Sequence, residues 1–148
     1  MATDLGLTHV ALPVADLDAS AAFYERYADM HVVHRRVDGE GDAALGVVWL
    51  SDFTRPFVVV LIQTAVTHVL GGWSHLGVAV ASREEVDRRC AEARAAGIEV
   101  LGPFDDGPPV GYWAILGDPD GHQLEVAYGQ QVDAAVAAAH QEHRDAGR

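Results

Sequence analysis

Three side chains carry the donors that metal chemistry uses, His9, His75 and Glu125, and the two histidines recur at matched places. His9 sits in Thr8-His9-Val10-Ala11-Leu12-Pro13-Val14-Ala15, and His75 sits in Ser74-His75-Leu76-Gly77-Val78-Ala79-Val80-Ala81, at an offset of 66 residues. A lone histidine on a half-buried strand is ordinarily a hydrogen-bonded packing residue. Two at one repeat position, with a carboxylate on a similar strand, point instead to a divalent cation. A buried Glu125 without a partner would be costly, and a cation satisfies it. The competing reading is a metal-free cavity that binds a small molecule. Two neighbours could serve the same cavity. Tyr112, on the segment leading to Glu125, offers a hydroxyl to a substrate oxygen or else an apolar wall. Trp49 can stack on a ligand or simply pack.

Other reactive side chains have plainer readings. His31 and His34 stand three apart in an extended segment, which sends them to opposite faces. His140 and His143 share a terminal helix, and both pairs read as solvated. Cys90 lies in a helix without triad partners and reads as inert. Tyr24 belongs to a helix core, and His122, in a turn, reads as a surface residue.

The elements that must position these groups repeat as well. The offset of 66 also lays Trp49-Leu50-Ser51-Asp52 over Ile115-Leu116-Gly117-Asp118, and repeats at fixed spacing signal duplicated units. In the first half, residues 7–14 suit a strand. Residues 17–28 suit a helix through Leu17, Ala21, Tyr24 and Ala28, capped by Asp16 or Asp18. Extended stretches near 31–37, 44–51 and 57–63 follow. In the second half, 75–81 is a strand, Ser82 caps a helix over 83–96, and Gly97 stops it. Strands near 98–101, 111–116 and 122–128 complete it, with Asp118-Pro119-Asp120-Gly121 as turn chemistry. The expectation is an α+β fold of two βαβββ modules, about 5–63 and 74–130, within one domain spanning 1–148. Residues 64–73 link them, and a C-terminal helix covers 131–143.

Alternation along the strands separates two faces. Ala11 shares a face with His9, Gly77 and Ala79 with His75, and Ala127 with Glu125. Val10, Leu12 and Val14, like Leu76, Val78 and Val80, occupy the opposite faces. Bulky faces should pack beneath helices, whereas small residues beside one polar group leave a hollow.

Composition narrows the partners. The 148 residues carry a formal charge of −12, and all ten basic residues are arginine. Such a surface repels phosphate backbones, so nucleic acid is not an expected partner, and it mildly favours cationic ligands. No apolar run reaches the roughly 20 residues that cross a bilayer, so no membrane is expected. The first residues lack the pattern of a secretory signal. The single cysteine excludes an internal disulfide and fits a cytoplasmic address.

Leu7–Leu17, Ser20–Tyr24, Ser74–Val78 and Gly117–Glu125 together resemble the vicinal-oxygen-chelate superfamily, which includes glyoxalase I, extradiol dioxygenases, fosfomycin-resistance enzymes and bleomycin-binding proteins. The resemblance covers about residues 5–130. It implies paired βαβββ modules curling a mixed sheet around one divalent metal (Fe, Mn, Zn or Ni), with His9, His75 and Glu125 on the family's ligand positions. The fourth such position falls on Val59 at the offset of 66, or on Val60 if the register slips by one.

Two imidazoles and one carboxylate are the composition of the facial triad of non-haem iron oxygenases. The resemblance therefore implies a metal-dependent, dioxygenase-like enzyme acting on a small molecule with adjacent oxygens. A glyoxalase-like lyase or a thiol transferase is the alternative, and a drug-binding resistance protein is the rival from another class. Ile115 stands where extradiol enzymes carry a tyrosine, and Ala11 where the fosfomycin branch holds substrate with a threonine. A homodimer is expected, since many superfamily members pair module one with module two of a second chain.

Overall fold

The computed structural model describes residues 3–148. The first module runs β1 (His9–Val14), α1 (Leu17–Ala28), β2 (His31–Asp38), β3 (Leu45–Ser51) and β4 (Val58–Gln63). The second runs β5 (Leu76–Ala79), α2 (Arg83–Ala95), β6 (Val100–Asp105), β7 (Tyr112–Gly117) and β8 (Gln123–Tyr128), and α3 (Val132–Ala146) follows. Two βαβββ modules and a C-terminal helix are therefore present. Their strands form two four-stranded sheets, ordered β1-β4-β3-β2 and β5-β8-β7-β6. Among the described residues no helix is long and apolar enough to cross a membrane.

Local chemistry sets the helix ends. Asp16 accepts a hydrogen bond from the Ala19 backbone N–H at 3.0 Å, the N-cap that starts α1. Asp29 ends the helix at a φ of 51°, a left-handed conformation that aspartate tolerates better than most residues. Ser82 caps α2 through Glu85 N at 3.1 Å. Gly97 stops it at a φ of 77°, and Ile98 N reaches back to Ala93 O. On α2 the exposed Arg88 bridges Glu85 and Glu92, and the buried Arg89 also bonds Glu85.

In the first sheet β1 runs parallel to β4, pairing His9 with Val58 and Ala11 with Val60. β3 is antiparallel to β4 and pairs Trp49 with Val60. Pleating then sorts the side chains. Leu12, Val14, Val48, Leu50, Val59 and Leu61 are buried and share the face that packs under α1, beside Ala21, Tyr24 and Ala28. Full burial of such aliphatic side chains stabilises by about 1.5–3 kcal/mol each. Gln63 continues that face, and its Oε1 accepts from Leu17 N at 2.9 Å. In the second module Val86, Cys90 and Ala93 of α2 are buried, as are Ala114 and Val126 of the sheet.

The chain divides into two compact units that are not the two modules. One comprises the residues up to Leu76 together with Gly117–Leu124, and the other comprises Gly77–Leu116 with Glu125–Arg148. The turn between β7 and β8 thus belongs with the first module.

Candidate metal and ligand site

The first unit holds a cavity of about 840 Å³ on the sheet face opposite α1. His9 and Ala11 of β1, Trp49 and Ser51 of β3, and Val58 and Val60 of β4 line it. The small-residue face of His9 is thus a hollow, as alternation predicted. Thr8 Oγ1 lies 2.9 Å from His9 Nδ1, at the exposed start of β1.

β2 adds a wall the sequence concealed. His31 pairs with Ser51 and His34 with Trp49, with a register shift between Val32 and His34. A bulge inserts one residue, so the odd spacing no longer separates the two histidines. Both fall on the Trp49 face, correcting the expectation of opposite faces. His34 lines the cavity with its ring 4.7 Å from Trp49, and the Arg36 guanidinium lies 5.5 Å from the same indole. Trp49 is part of the cavity wall.

The fourth family position also moves. Val59 lies on the α1 face, 1% exposed, whereas Val60 lines the cavity at 8%. The expectation for Val59 is therefore overturned in favour of Val60. Ser51 and Gly117 end their strands 66 residues apart, but Val58 and Gln123 begin theirs 65 apart. The second turn is one residue shorter, so Val60 and Glu125 occupy the same third place in β4 and β8.

His75 precedes β5, and its Nδ1 lies 2.9 Å from the Trp73 carbonyl. A carbonyl only accepts, so Nδ1 carries a proton in this contact. This is the arrangement that orients imidazoles toward metals. Glu125, on β8, is 8% exposed, and its Oε1 accepts from Gln130 Nε2 at 2.8 Å. A Cβ at Gly77 would lie 3.9 Å from that oxygen, so the β5 backbone passes close beside the carboxylate.

Tyr112 has a different commitment. Its hydroxyl donates to Asp87 Oδ1 at 2.6 Å and the Arg83 guanidinium lies 4.6 Å from its ring, a bond to a carboxylate that raises the phenol's pKa. Arg83 also pairs with Asp105. These contacts fasten β7 to α2 and leave no hydroxyl proton for a substrate.

Among the described residues, one group of three or more metal-capable side chains has donor atoms within 4.8 Å of one another: Asp118, Asp120 and His122. Hydrogen bonds already occupy it. Asp118 Oδ1 accepts from Asp120 N and His122 N at 2.9 and 2.8 Å, and Oδ2 accepts from Tyr24 Oη at 2.8 Å. Asp120 accepts from Ala15 N at 3.1 Å and from Ser20 Oγ at 3.4 Å. Leu70 N–H donates to His122 Nδ1 at 3.0 Å, which places the proton on Nε2, 2.7 Å from the Pro13 carbonyl. Both imidazole nitrogens are engaged, so a cation would have to break these bonds; the group is a structural hub. Burial first, and then the Asp118 charge, raise the Tyr24 pKa. His122 is 1% exposed, correcting its reading as a surface residue. Alternation back from Val126 and Leu124 puts residue 122 on the buried face, a signal the turn pattern masked.

Paired βαβββ modules, each with a sheet covered on one side by a helix, are the architecture expected of vicinal-oxygen-chelate proteins. The chain belongs to the Glyoxalase/Bleomycin resistance protein/Dioxygenase superfamily, whose profile matches residues 6–126. It is 41% identical over 128 residues to an uncharacterized protein of Pseudomonas aeruginosa, covering 84% of this chain and 89% of that one. It is 29% identical over 134 residues to a lactoylglutathione lyase of Neisseria meningitidis, covering 88% and 96%. The fosfomycin resistance protein FosX of Listeria monocytogenes, solved with Mn(II) and a dihydroxypropylphosphonic acid, shares the fold at a TM-score of 0.68 and 19% identity, covering 86% and 95%. TnmS3, an antibiotic binding protein from a Streptomyces species, does so at 0.61 and 19%, covering 86% and 98%.

Proposed function

We propose that this chain is a divalent-metal-dependent enzyme acting on a small molecule with vicinal oxygens, with His9, His75 and Glu125 as the protein ligands. The observation that carries this reading is the third place of the two last strands: Glu125 in β8, and the apolar Val60 in β4. A two-histidine, one-carboxylate set results, as in oxygen-activating iron sites. A bound cation polarises substrate oxygens and stabilises the negative charge that develops on them.

The chain's own residues bind and orient. Trp49 and Val60 supply an apolar wall, and the Trp73 carbonyl holds the His75 tautomer. Val60 cannot move a proton, so a carboxylate base at this place, as resemblance to glyoxalase I implies, is missing. That weighs toward dioxygenase-like chemistry, although the lactoylglutathione lyase relatives favour a glyoxalase-like lyase as the second reading.

A homodimer is part of the proposal. Leu5 and Leu7, before edge strand β1, are 84% and 87% exposed, and Trp73, before edge strand β5, is 96% exposed. Apolar side chains so placed suit coverage by a second copy. The lone, buried cysteine accords with action in the cytoplasm.

The decisive experiment reconstitutes purified protein with Fe(II), Mn(II), Zn(II) or Ni(II) and measures bound metal by mass spectrometry. Wild type should hold one ion per chain and His75→Ala should lose most of it. Equal metal in both removes His75 from the site, and metal in neither leaves a binding protein. Oxygen uptake with a catechol, set against loss of the glutathione–methylglyoxal hemithioacetal, separates the two enzyme readings.

A further inference from the structure

The cavity of the first unit opposes the sign of the chain around it. The formal charge is −12, yet Arg36 and Arg55 line the cavity against the single carboxylate of Asp4. Fields from exposed charges fade over about 8 Å at physiological ionic strength, so a ligand inside responds to these near groups.

The two arginines differ in their ties. Arg36 forks onto Asp38 at 2.8 and 3.1 Å, on an exposed strand edge, while its guanidinium lies over Trp49. Arg55 donates through Nε to Thr54 Oγ1 at 3.2 Å, and its charge also acts on the neighbouring Asp52 carboxylate without a hydrogen bond to it. The neighbouring Asp52 is turned toward Thr54, accepting from its backbone N–H at 2.9 Å and its hydroxyl at 2.6 Å. The Arg55 fork is thus presented at the rim of a cavity whose walls include Trp49, Phe57, Val60 and Ile62.

We infer that this cavity takes an organic carboxylate with an apolar, ring-sized body, its anionic end on Arg55 and Arg36 and its body against Trp49 and Phe57. A guanidinium fork matches a carboxylate in two hydrogen bonds, and a flat indole matches a flat ring. This reverses the cationic preference that net charge alone suggests. The inference deepens the proposed function by naming the substrate class, and it rests on that reading only for a substrate being bound here at all. The anion preference itself needs no metal.

The test titrates benzoate, benzyl alcohol and benzylamine into EDTA-treated full-length protein, following the tryptophan indole N–H signals by NMR. Without metal, chelation cannot mimic the arginine contact. Benzoate should bind about tenfold more tightly than either other probe, the scale of a hydrogen bond to a charged group. Arg55→Gln, an exposed rim substitution that spares the core, should bring benzoate to the level of benzyl alcohol and leave the alcohol unchanged. Equal binding of the three, a preference for benzylamine, or no binding at tens of millimolar overturns the inference. So does a benzoate preference that survives Arg36→Gln combined with Arg55→Gln. If metal analysis fails but the benzoate preference holds, only the enzyme reading falls. If metal binds and the preference is missing, only this inference falls.

Discussion

The one-residue difference between Val59 and Val60 can be read out as stability. Val59→Glu puts a carboxylate under α1, opposite Leu50 and on the buried face shared with Leu12 and Leu61. It loses about 1.5–3 kcal/mol of aliphatic burial and adds several kcal/mol for desolvating an ion with no partner. The sum, about 5 kcal/mol or more, rivals the whole stability of an ordinary domain. Val60→Glu loses the same methyl groups, but its carboxylate enters the cavity and not the core, so about 1–3 kcal/mol is expected. For a chain of this size each kcal/mol moves the melting temperature by about 2–4 °C. Val60→Glu should therefore melt about 5 °C below wild type, and Val59→Glu should lose 10–20 °C or fail to fold, roughly in proportion. Should the glutamates fail to express, Val59→Thr and Val60→Thr pose the same question with an isosteric hydroxyl, and residue 59 should again suffer more. Thermal unfolding by circular dichroism in EDTA and in Mn(II) or Zn(II) is the assay. Metal should restore Val60→Glu and leave Val59→Glu unchanged. If Val59→Glu is the milder substitution, the face assignment and the 65-residue register are both wrong.

Two further outcomes are expected. Paired with Arg88 and Arg89, Glu85 has its pKa lowered from 4.5 to about 2, so its contribution is complete above pH 4.5 and disappears as pH falls through 2; wild-type melting temperature should thus drop more steeply than that of Glu85→Gln between pH 5 and pH 2, a modest difference because the Arg88 partner is exposed and screened. Sedimentation at micromolar concentration should show a two-chain species, and a species of one-chain mass alone would defeat the homodimer.

The fold was legible because its signals are local. Strand alternation, the Asp16 and Ser82 caps and Gly97 each act within a few residues, and the 66-residue repeat joined them into modules. The hollow beside His9 and Ala11 was legible because alternation along β1 depends on that strand alone, whereas the part Trp49 plays in its wall was left open between stacking and packing. What failed did so through single-residue insertions. A turn one residue shorter between β7 and β8 than between β3 and β4 shifted the last strands and exchanged Val59 for Val60. A bulge in β2 brought His34 beside Trp49. Neither leaves a mark on composition or periodicity, since each changes register and not residue type. His122 was misread for another reason. Its partners, Pro13 O and Leu70 N, lie 109 and 52 residues away, and no local pattern names them.

Synthesis on the ribosome gives the Asp118–His122 hub a temporal meaning. The first unit needs Gly117–Leu124 to be whole, so it cannot finish folding when Leu76 has been made. At about 5–20 residues per second, the missing turn follows roughly 2–10 s later. Until then the Tyr24 hydroxyl and the Pro13 carbonyl lack the partners that Asp118 and His122 bring. The second module is therefore translated nearly to its last strand before those bonds can form. A gene fragment ending at the linker therefore encodes an incomplete unit, without the turn that Asp118 and His122 bring.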